Sequence, residues 1–267
     1  MTRQRLLMAE RQRRILERVA EAGSLDLASL AEDLGVSVMT VRRDVKDLSA
    51  RGRLSLTRGG ATVAVIHDQE LLTNPRAVAQ ADEKALIGRR AAALVQPGEV
   101  VFLGTGSTTA QLVAFLDPGL QPTVITASLP HATVLASRGV HVISTGGVVA
   151  GADLAQSGPR ALDTIHQYVP GTAFIGAQGV CPQAGLTEAE PTIAEINRAA
   201  IGVCERVVLL IDSTKVGRRH PYRVASLTVV SEILTTTLGH RRAADLGWSA
   251  RDRRRLSHGP DAHEAAS

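Results

Sequence analysis

Aromatic side chains are almost missing from this chain: Phe, Tyr and Trp together make up 2% of 267 residues, so a core has to be built from Ala, Val, Leu and Ile. Cysteine is scarce too. Cys181 and Cys204 have no metal-ligand spacing around them, which argues against a disulfide framework and against a metal site, and a reducing cytoplasm is the compartment expected. No apolar run approaches the ~18 residues that a membrane span needs. The first residues form an Arg-rich amphipathic pattern without an apolar core segment, so no secretory signal is expected. What remains is an ordinary soluble composition, 44% hydrophobic and 21% charged, on a chain long enough for a small domain plus a larger one of roughly 150–200 residues.

Positive charge is unevenly placed. Residues 1–62 hold twelve Lys/Arg against eight Asp/Glu, residues 63–239 twelve against fourteen, and residues 240–267 six against four. A basic beginning joined to a slightly acidic middle fits a nucleic-acid-binding module attached to a domain with another task. The stretch SVMTVRRDVKDLSARGRLSLTRGGA, residues 37–61, sharpens this reading. Val41, Val45 and Leu48 share one helical face, which leaves Thr40, Arg42, Arg43 and Lys46 around the rest of the surface. Ser37 sits at an N-cap position and Gly52 at a stop; RLSLTRGG then alternates into a Gly-Gly turn as a strand pair would. Upstream, residues 8–22 place Ile15, Val19 and Ala22 on one stripe, and LASLAEDLG places Leu27, Leu30, Ala31 and Leu34 on another, with Gly35 and Val36 as the turn before Ser37. Three helices and a basic hairpin in this order predict a winged helix-turn-helix over residues 1–62, whose last helix enters a DNA groove. A three-helix protein-interaction module has the same periodicity but no use for the arginine pair and the basic wing.

From Glu10 to Ala61 the chain resembles the DNA-binding domain of DeoR/GlpR-type bacterial transcription regulators. The resemblance rests on Arg11 to Ile15, Leu30-Ala31, Val36-Ser37, Thr40-Val41-Arg42-Arg43-Asp44, Leu48, and Arg58-Gly59-Gly60-Ala61. It implies that Ser37, Thr40, Arg42, Arg43, Lys46, Arg58 and Gly59 meet DNA.

Residues 63–82, with few apolar anchors and Asn74-Pro75 in the middle, read as a linker. Beyond them the texture changes. ADEKALIGRRAAALVQPG is an amphipathic helix, VVFL a short buried strand, and GTGSTTAQLVAFL a turn into another helix. TVIT, HVIS, AFIGA and VVLLID follow, separated by helical patterns near 129–137, 158–168 and 191–203. Short apolar runs alternating with helices predict an α/β domain with a mostly parallel, Rossmann-like sheet over residues 83–239. The Arg-, Ala- and Ser-rich residues 240–267 lack a sustained apolar stripe and are expected to be a disordered basic tail.

The chemistry of this second domain concentrates at Gly104-Thr105-Gly106-Ser107-Thr108-Thr109. A glycine turn from strand to helix points backbone N–H groups and the positive end of the helix dipole at a potential anion, and three hydroxyls add donors. It is neither a P-loop nor a Gly-x-Gly-x-x-Gly dinucleotide loop. Phosphate binding and simple closure of the turn both fit the loop alone. In order, Lys84, the GTGSTT loop, Ser157-Gly158, Phe174-Ile175-Gly176, Gly179 and Asp212-Ser213-Thr214-Lys215 resemble the effector domain of the same regulators, which is similar in fold to ribose-5-phosphate isomerase. That resemblance covers residues 8–238 in all. It implies a sugar-phosphate effector held by Lys84, Gly104, Thr105, Gly106, Ser107, Thr108 and Lys215, with Gly146 and Gly147 as further candidates that equally suit a turn. In two places the chain departs from the family: Gly171-Thr172 and Ala127 stand where Asp and Asn are common, and both changes are expected to strip polar groups from around the sugar.

The expected function is that of a sequence-specific DNA-binding regulator, a repressor of carbohydrate-metabolism genes, released from a double-stranded operator by a phosphorylated sugar and acting as a dimer or tetramer. No cofactor or metal is expected. The rival is a sugar-phosphate isomerase with an accessory nucleic-acid-binding domain. The Asp-rich and Val-Glu-His motifs that the isomerase resemblance would require are missing, and Glu188 and Glu190 are the only nearby acids, expected to be solvated in a loop.

Overall fold

A computed structural model describes residues 8–22, 24–50, 54–56, 60–63 and 79–257. The chain folds as two units, residues 1–69 and 70–267.

The first unit contains α1 (Met8–Ala22), β1 (Ser24–Asp26), α2 (Leu27–Leu34), α3 (Val38–Ala50), β2 (Leu54–Leu56) and β3 (Gly60–Val63). Its core is the set of residues that the periodicity picks out: Ile15 and Val19, Leu27, Leu30 and Ala31, then Val41, Val45 and Leu48, closed by Leu54 and Ala61. Ala22 is exposed, so the buried stripe of α1 ends at Val19. Asp26 caps α2 by accepting from the amides of Ala28 and Ser29, both at 2.9 Å. Gly35, in the left-handed region with φ 65°, closes the helix and starts the tight turn. Ser37 starts α3, its hydroxyl accepting from the Thr40 amide at 3.2 Å. The three strands form an antiparallel sheet in the order β1-β3-β2. The expected stops at Gly23 and Gly52 and the wing-tip residues Arg58 and Gly59 lie outside the described residues.

In the second unit the elements are α4 (Ala81–Ala92), β4 (Val100–Leu103), α5 (Ser107–Phe115), β5 (Thr123–Thr126), α6 (Leu129–Ser137), β6 (His141–Ser144), β7 (Val148–Ala150), β8 (Ala155–Ser157), α7 (Pro159–His166), β9 (Thr172–Ile175), β10 (Gly179–Cys181), β11 (Gly185–Glu188), α8 (Pro191–Val203), β12 (Arg206–Leu210), β13 (Tyr222–Ala225), β14 (Glu232–Leu234), α9 (Thr237–Asp245), α10 (Ala250–Arg253) and β15 (Leu256–Ser257). Seven strands form a wholly parallel sheet in the order β15-β14-β12-β9-β4-β5-β6. Continuous burial of β9, and of β12 after Arg206, explains why those strands read as apolar runs and not as alternating ones. From β4 the chain winds one way through β5 and β6, then returns to place β9, β12 and β14 on the other side. The strand order therefore reverses between β4 and β9, the switch point at whose carboxyl end open α/β sheets bind ligands. Helix α4 packs on α5 through Gly88, where a Cβ would stand 2.3 Å from the Cβ of Gln111. That close approach explains a glycine in mid-helix despite its poor propensity.

Three expectations change. The hairpin β7–β8 and the antiparallel sheet β10-β11-β13 were not foreseen, because both are too short to set up a periodic pattern. The linker expected over 63–82 is shorter at both ends: Val63 belongs to β3 and α4 already begins at Ala81, while residues 64–78 lie outside the described residues. The tail expected at 240–267 is folded as far as Ser257. There α9 carries on, Trp248 is 4% exposed, and β15 extends the sheet with Leu256 opposite Ile233. Arg90 secures this end by donating to the carbonyl oxygen and the hydroxyl of Ser257 at 3.0 and 2.6 Å. The buried positions of α9 are only Gly239 and Ala243, residues too small to register as an apolar stripe.

Candidate DNA-reading face and ligand cleft

Helix α3 has two faces at the same spacing. Val41, Asp44, Val45 and Leu48 are buried, while Met39, Arg42, Arg43 and Lys46 are exposed one step round the helix. The arginine pair and the lysine thus stand together on a free surface, as expected. Thr40 is half-buried, and its hydroxyl pairs with that of Ser37 at 2.8 Å, so both help to start the helix as well as flank its exposed side. Two residues were missed. Met39 is 71% exposed among the cations, an apolar side chain on the same free face. Asp44 faces inward and takes the Arg11 guanidinium, with Nη2 donating to Oδ1 at 3.0 Å.

In the second unit a small cleft opens at the carboxyl ends of β4 and β9. Thr105, Gly106, Ser107, Thr108 and Thr109 form one part of its wall, and Gly176, Ala177 and Gln178 another. Gly106 has φ 114° and carries no side chain with which to cap α5, and the first residues of that helix line the cleft. The Thr109 hydroxyl is not a ligand donor as expected: it donates to the Gly106 carbonyl at 2.7 Å and holds the loop. Behind the loop, His131 of α6 is fully buried against the backbone of Gly104 and Gly106, with no ring hydrogen bond of good geometry among the described residues. Burial pushes its imidazole down to about 4 against the weaker upward pull of those two backbones.

Of the nine expected effector residues, Thr105, Gly106, Ser107 and Thr108 line the cleft and five do not. The Gly104 amide donates to the Phe174 carbonyl at 2.8 Å, so that glycine serves the sheet. Gly147, with φ 100°, lies where a Cβ would stand 2.3 Å from the Ser157 carbonyl oxygen; it permits the close approach of two backbones. Gly146, with φ 73°, belongs to the same turn and packs against Arg160. Lys84 is buried in α4 and engaged by its surroundings. Lys215 stands one residue back, its Nζ donating to Gln178 Oε1 at 3.3 Å. Asp212 caps the turn before it, accepting from the Thr214 amide at 2.9 Å.

One of the two departures does not act as expected. Gly171 and Thr172 lie at the amino end of β9, where the Thr172 hydroxyl donates to Glu99 at 2.6 Å, at the opposite end of the strand from the cleft. Ala127 is buried in the core. Glu188, expected to be solvated, ends β11 at 5% exposure and lines the cleft, as does Asp153 from the β7–β8 turn at 9%. Neither acid is marked by any sequence pattern. Among the described residues there is no metal-ligating cluster and no helix long and apolar enough to cross a membrane.

A helix-turn-helix unit with a basic exposed helix, joined to an α/β unit with a polar cleft, defines the class of DNA-binding transcription regulators. The family model for the DeoR-like helix-turn-helix domain matches residues 11–66, and that for the DeoR C terminal sensor domain matches residues 79–237. The uncharacterized HTH-type transcriptional regulator YulB of Bacillus subtilis is 31% identical over 231 residues, 86% of this chain and 89% of that protein. The HTH-type transcriptional repressor GlcR of the same organism is 29% identical over 233 residues, 87% and 90%. Ribose 5-phosphate isomerase A from Methanocaldococcus jannaschii aligns with 52% of this chain and 55% of its own at 20% identity and a TM-score of 0.40. The chain belongs to the DeoR family of helix-turn-helix transcription regulators.

Proposed function

We propose that this regulator is a repressor of carbohydrate-metabolism genes that binds its operator through α3 and releases it when a phosphorylated sugar enters the cleft. The observation that carries the reading is the glycine-led start of α5, whose hydroxyl-bearing Ser107 and Thr108 line a cleft at the switch point of a parallel sheet. Lys215 supports the site from behind Gln178 as a positive charge near a dianion. Arg42 and Arg43 read bases or phosphates, Lys46, Ser37 and Thr40 set the frame on the backbone, and the wing residues Arg58 and Gly59 hold the phosphates alongside. A single winged helix covers few base pairs, so the working form is at least a dimer on repeated half-sites. GlcR is by name a repressor, which supports the same sense of regulation here.

For the ligand to act as an inducer it must prefer the DNA-incompetent arrangement, with a coupling of about 1–3 kcal/mol. Operator affinity measured by fluorescence anisotropy on the gene's own upstream region, with sugar phosphates titrated in, tests this. Release of the wild type is expected, and none from Thr108→Glu, which sets a carboxylate where the phosphate would bind, while its operator affinity without ligand stays at the wild-type level. If no sugar phosphate alters operator affinity or thermal stability, the reading fails. One observation favours the isomerase alternative, the burial of Glu188 in the cleft. Turnover of pentose or hexose phosphates that Glu188→Ala abolishes would establish it.

A further inference from the structure

Between Asp212 and Glu232 the chain has no acidic residue, yet Lys215, Arg218, Arg219 and Arg223 all fall there. Three side chains of this stretch, Arg219, His220 and Arg223, line one hollow beside β11, with Gln183 and Thr187 and no carboxylate among the described residues. The hollow shares no lining residue with the cleft. Thr187 and Glu188 are neighbours on β11 and line the hollow and the cleft respectively. Successive residues of a strand face opposite sides, so the two sites lie on opposite faces of the antiparallel sheet. We propose that Arg219, His220 and Arg223 form a second anion site, separate from the cleft. Its ligand is a small molecule with two or more adjacent anionic groups, phosphate or carboxylate.

The backbone that carries these side chains is pinned. The Gly217 amide donates to the Val180 carbonyl at 2.8 Å, and the His220 amide donates to the Thr187 hydroxyl at 3.1 Å. Gly179 lets the segment pass, since a Cβ there would stand 2.6 Å from the Arg218 carbonyl oxygen. Arg223 sits on β13 opposite Thr187, and its carbonyl accepts from Arg198 at 2.6 Å. The side chains are not tied in the same way. Arg219 and Arg223 are exposed and His220 is half-buried, and none of the three side chains has a hydrogen bond or ion pair among the described residues. Arginine on an edge strand discourages pairing, which accounts for Arg223 on β13 but not for Arg219 and His220 around the same hollow. Cations held together without a counter-charge repel one another, and a concave wall of one sign concentrates the field on an anion. Each guanidinium presents a planar fork that matches two oxygens of a phosphate or carboxylate, so two forks take two such groups side by side. The imidazole adds a ring N–H. A lone phosphate leaves one fork empty. A hollow favours a small molecule over a DNA backbone, which lies along an open surface.

The test is calorimetric titration of the full chain at low ionic strength with pyrophosphate, citrate and inorganic phosphate. Pyrophosphate or citrate is expected to bind about tenfold or more tighter than inorganic phosphate, and which of the two binds tells a phosphate ligand from a carboxylate one. Arg219→Ala and Arg223→Ala are each expected to weaken that binding about tenfold or more. Thr108→Glu, which blocks the start of α5, is expected to leave it unchanged, so this result and the fate of the cleft are read separately. Both arginines are exposed, and an unaltered Tm shows that their variants fold. Failure of both pyrophosphate and citrate to bind the wild type overturns the proposal. So does binding that survives both arginine variants or is lost in Thr108→Glu, which would place the anion in the cleft. Inorganic phosphate binding as tightly as the other two would show general attraction of an adventitious ion only, and overturns it as well. If the wild type binds neither polyanion while Arg219→Ala/Arg223→Ala lowers the salt slope of operator binding by about 2, the arginines belong to DNA phosphates instead.

Discussion

Arg11 of α1 holds Asp44 of α3 by both carboxylate oxygens, Nε and Nη2 each donating to one of them, and Asp44 is only 1% exposed. The Arg-Arg-Asp stretch of α3 therefore divides its work. Arg42 and Arg43 point to solvent, and the neighbouring aspartate fastens the helix to α1. Asp44→Ala leaves the largely buried Arg11 charge without its partner, and a loss of about 3–5 kcal/mol from the first unit is expected. Denaturant unfolding followed by hydrogen exchange in residues 8–50 checks this. A cost below about 1 kcal/mol would show the pair to be worth no more than a surface contact.

Arg42, Arg43 and Lys46 share a face but should not behave alike on DNA. Lys46→Ala is expected to weaken all sequences uniformly and to reduce the slope of log affinity against log salt by about 1. Whichever arginine meets a base edge should cost about 1–3 kcal/mol on substitution by alanine and relax preference at one operator position. Affinities over a range of salt on operator and scrambled duplexes separate the two behaviours. Unchanged operator binding by the double variant Arg42→Ala/Arg43→Ala would remove α3 as the reading helix.

Gly88→Ala should destabilise the second unit even though alanine is the better helix former by about 1 kcal/mol. The new Cβ would stand 2.3 Å from the Cβ of Gln111 and 2.5 Å from that residue's backbone carbon, so α4 and α5 have to separate. Overpacking of this kind costs about 1–3 kcal/mol, and a lowered Tm is expected. A raised Tm would mean that the helices part freely.

His131 makes the second unit sensitive to acid. Its pKa in the folded chain is held down at about 4, below the ordinary 6.5, so at neutral pH it is uncharged in both folded and unfolded states. As pH falls through 6.5 the unfolded chain takes up a proton that the folded chain refuses until about pH 4. Stability is therefore lost progressively across that window, by up to about 3 kcal/mol, and the loss levels off below it. Denaturant unfolding at pH values from 7 to 4 should show this decline, and His131→Leu should flatten it. An equal decline in both proteins would assign the effect to other groups.

The two units differ in how far their sequence reveals them. In the first, one face of each helix is apolar at regular spacing, so Ile15, Val19, Leu30, Val41, Val45 and Leu48 mark the core, and Arg42, Arg43 and Lys46 on α3 fall on the opposite side. In the second, strands as buried as β9 and β12 are visible as apolar runs, while β10, β13 and β15 are too short and mixed to stand out. The C-terminal helix is held by glycine, alanine and one tryptophan, which composition reads as a polar tail.

The amino-acid sequence by itself determined the family, the order of helices and wing, the parallel sheet and the glycine loop before α5, because each depends on local spacing and turn chemistry. Only the tertiary structure decided which candidates share a cleft. It brought Asp153 and Glu188 from a hairpin turn and an antiparallel strand to the loop at residues 105–109. It left Lys84 buried in its helix and Gly147 in a turn. The reason is physical: a ligand site is made by strand ends distant in sequence meeting at the switch point of the sheet, and no local pattern records which ends will meet.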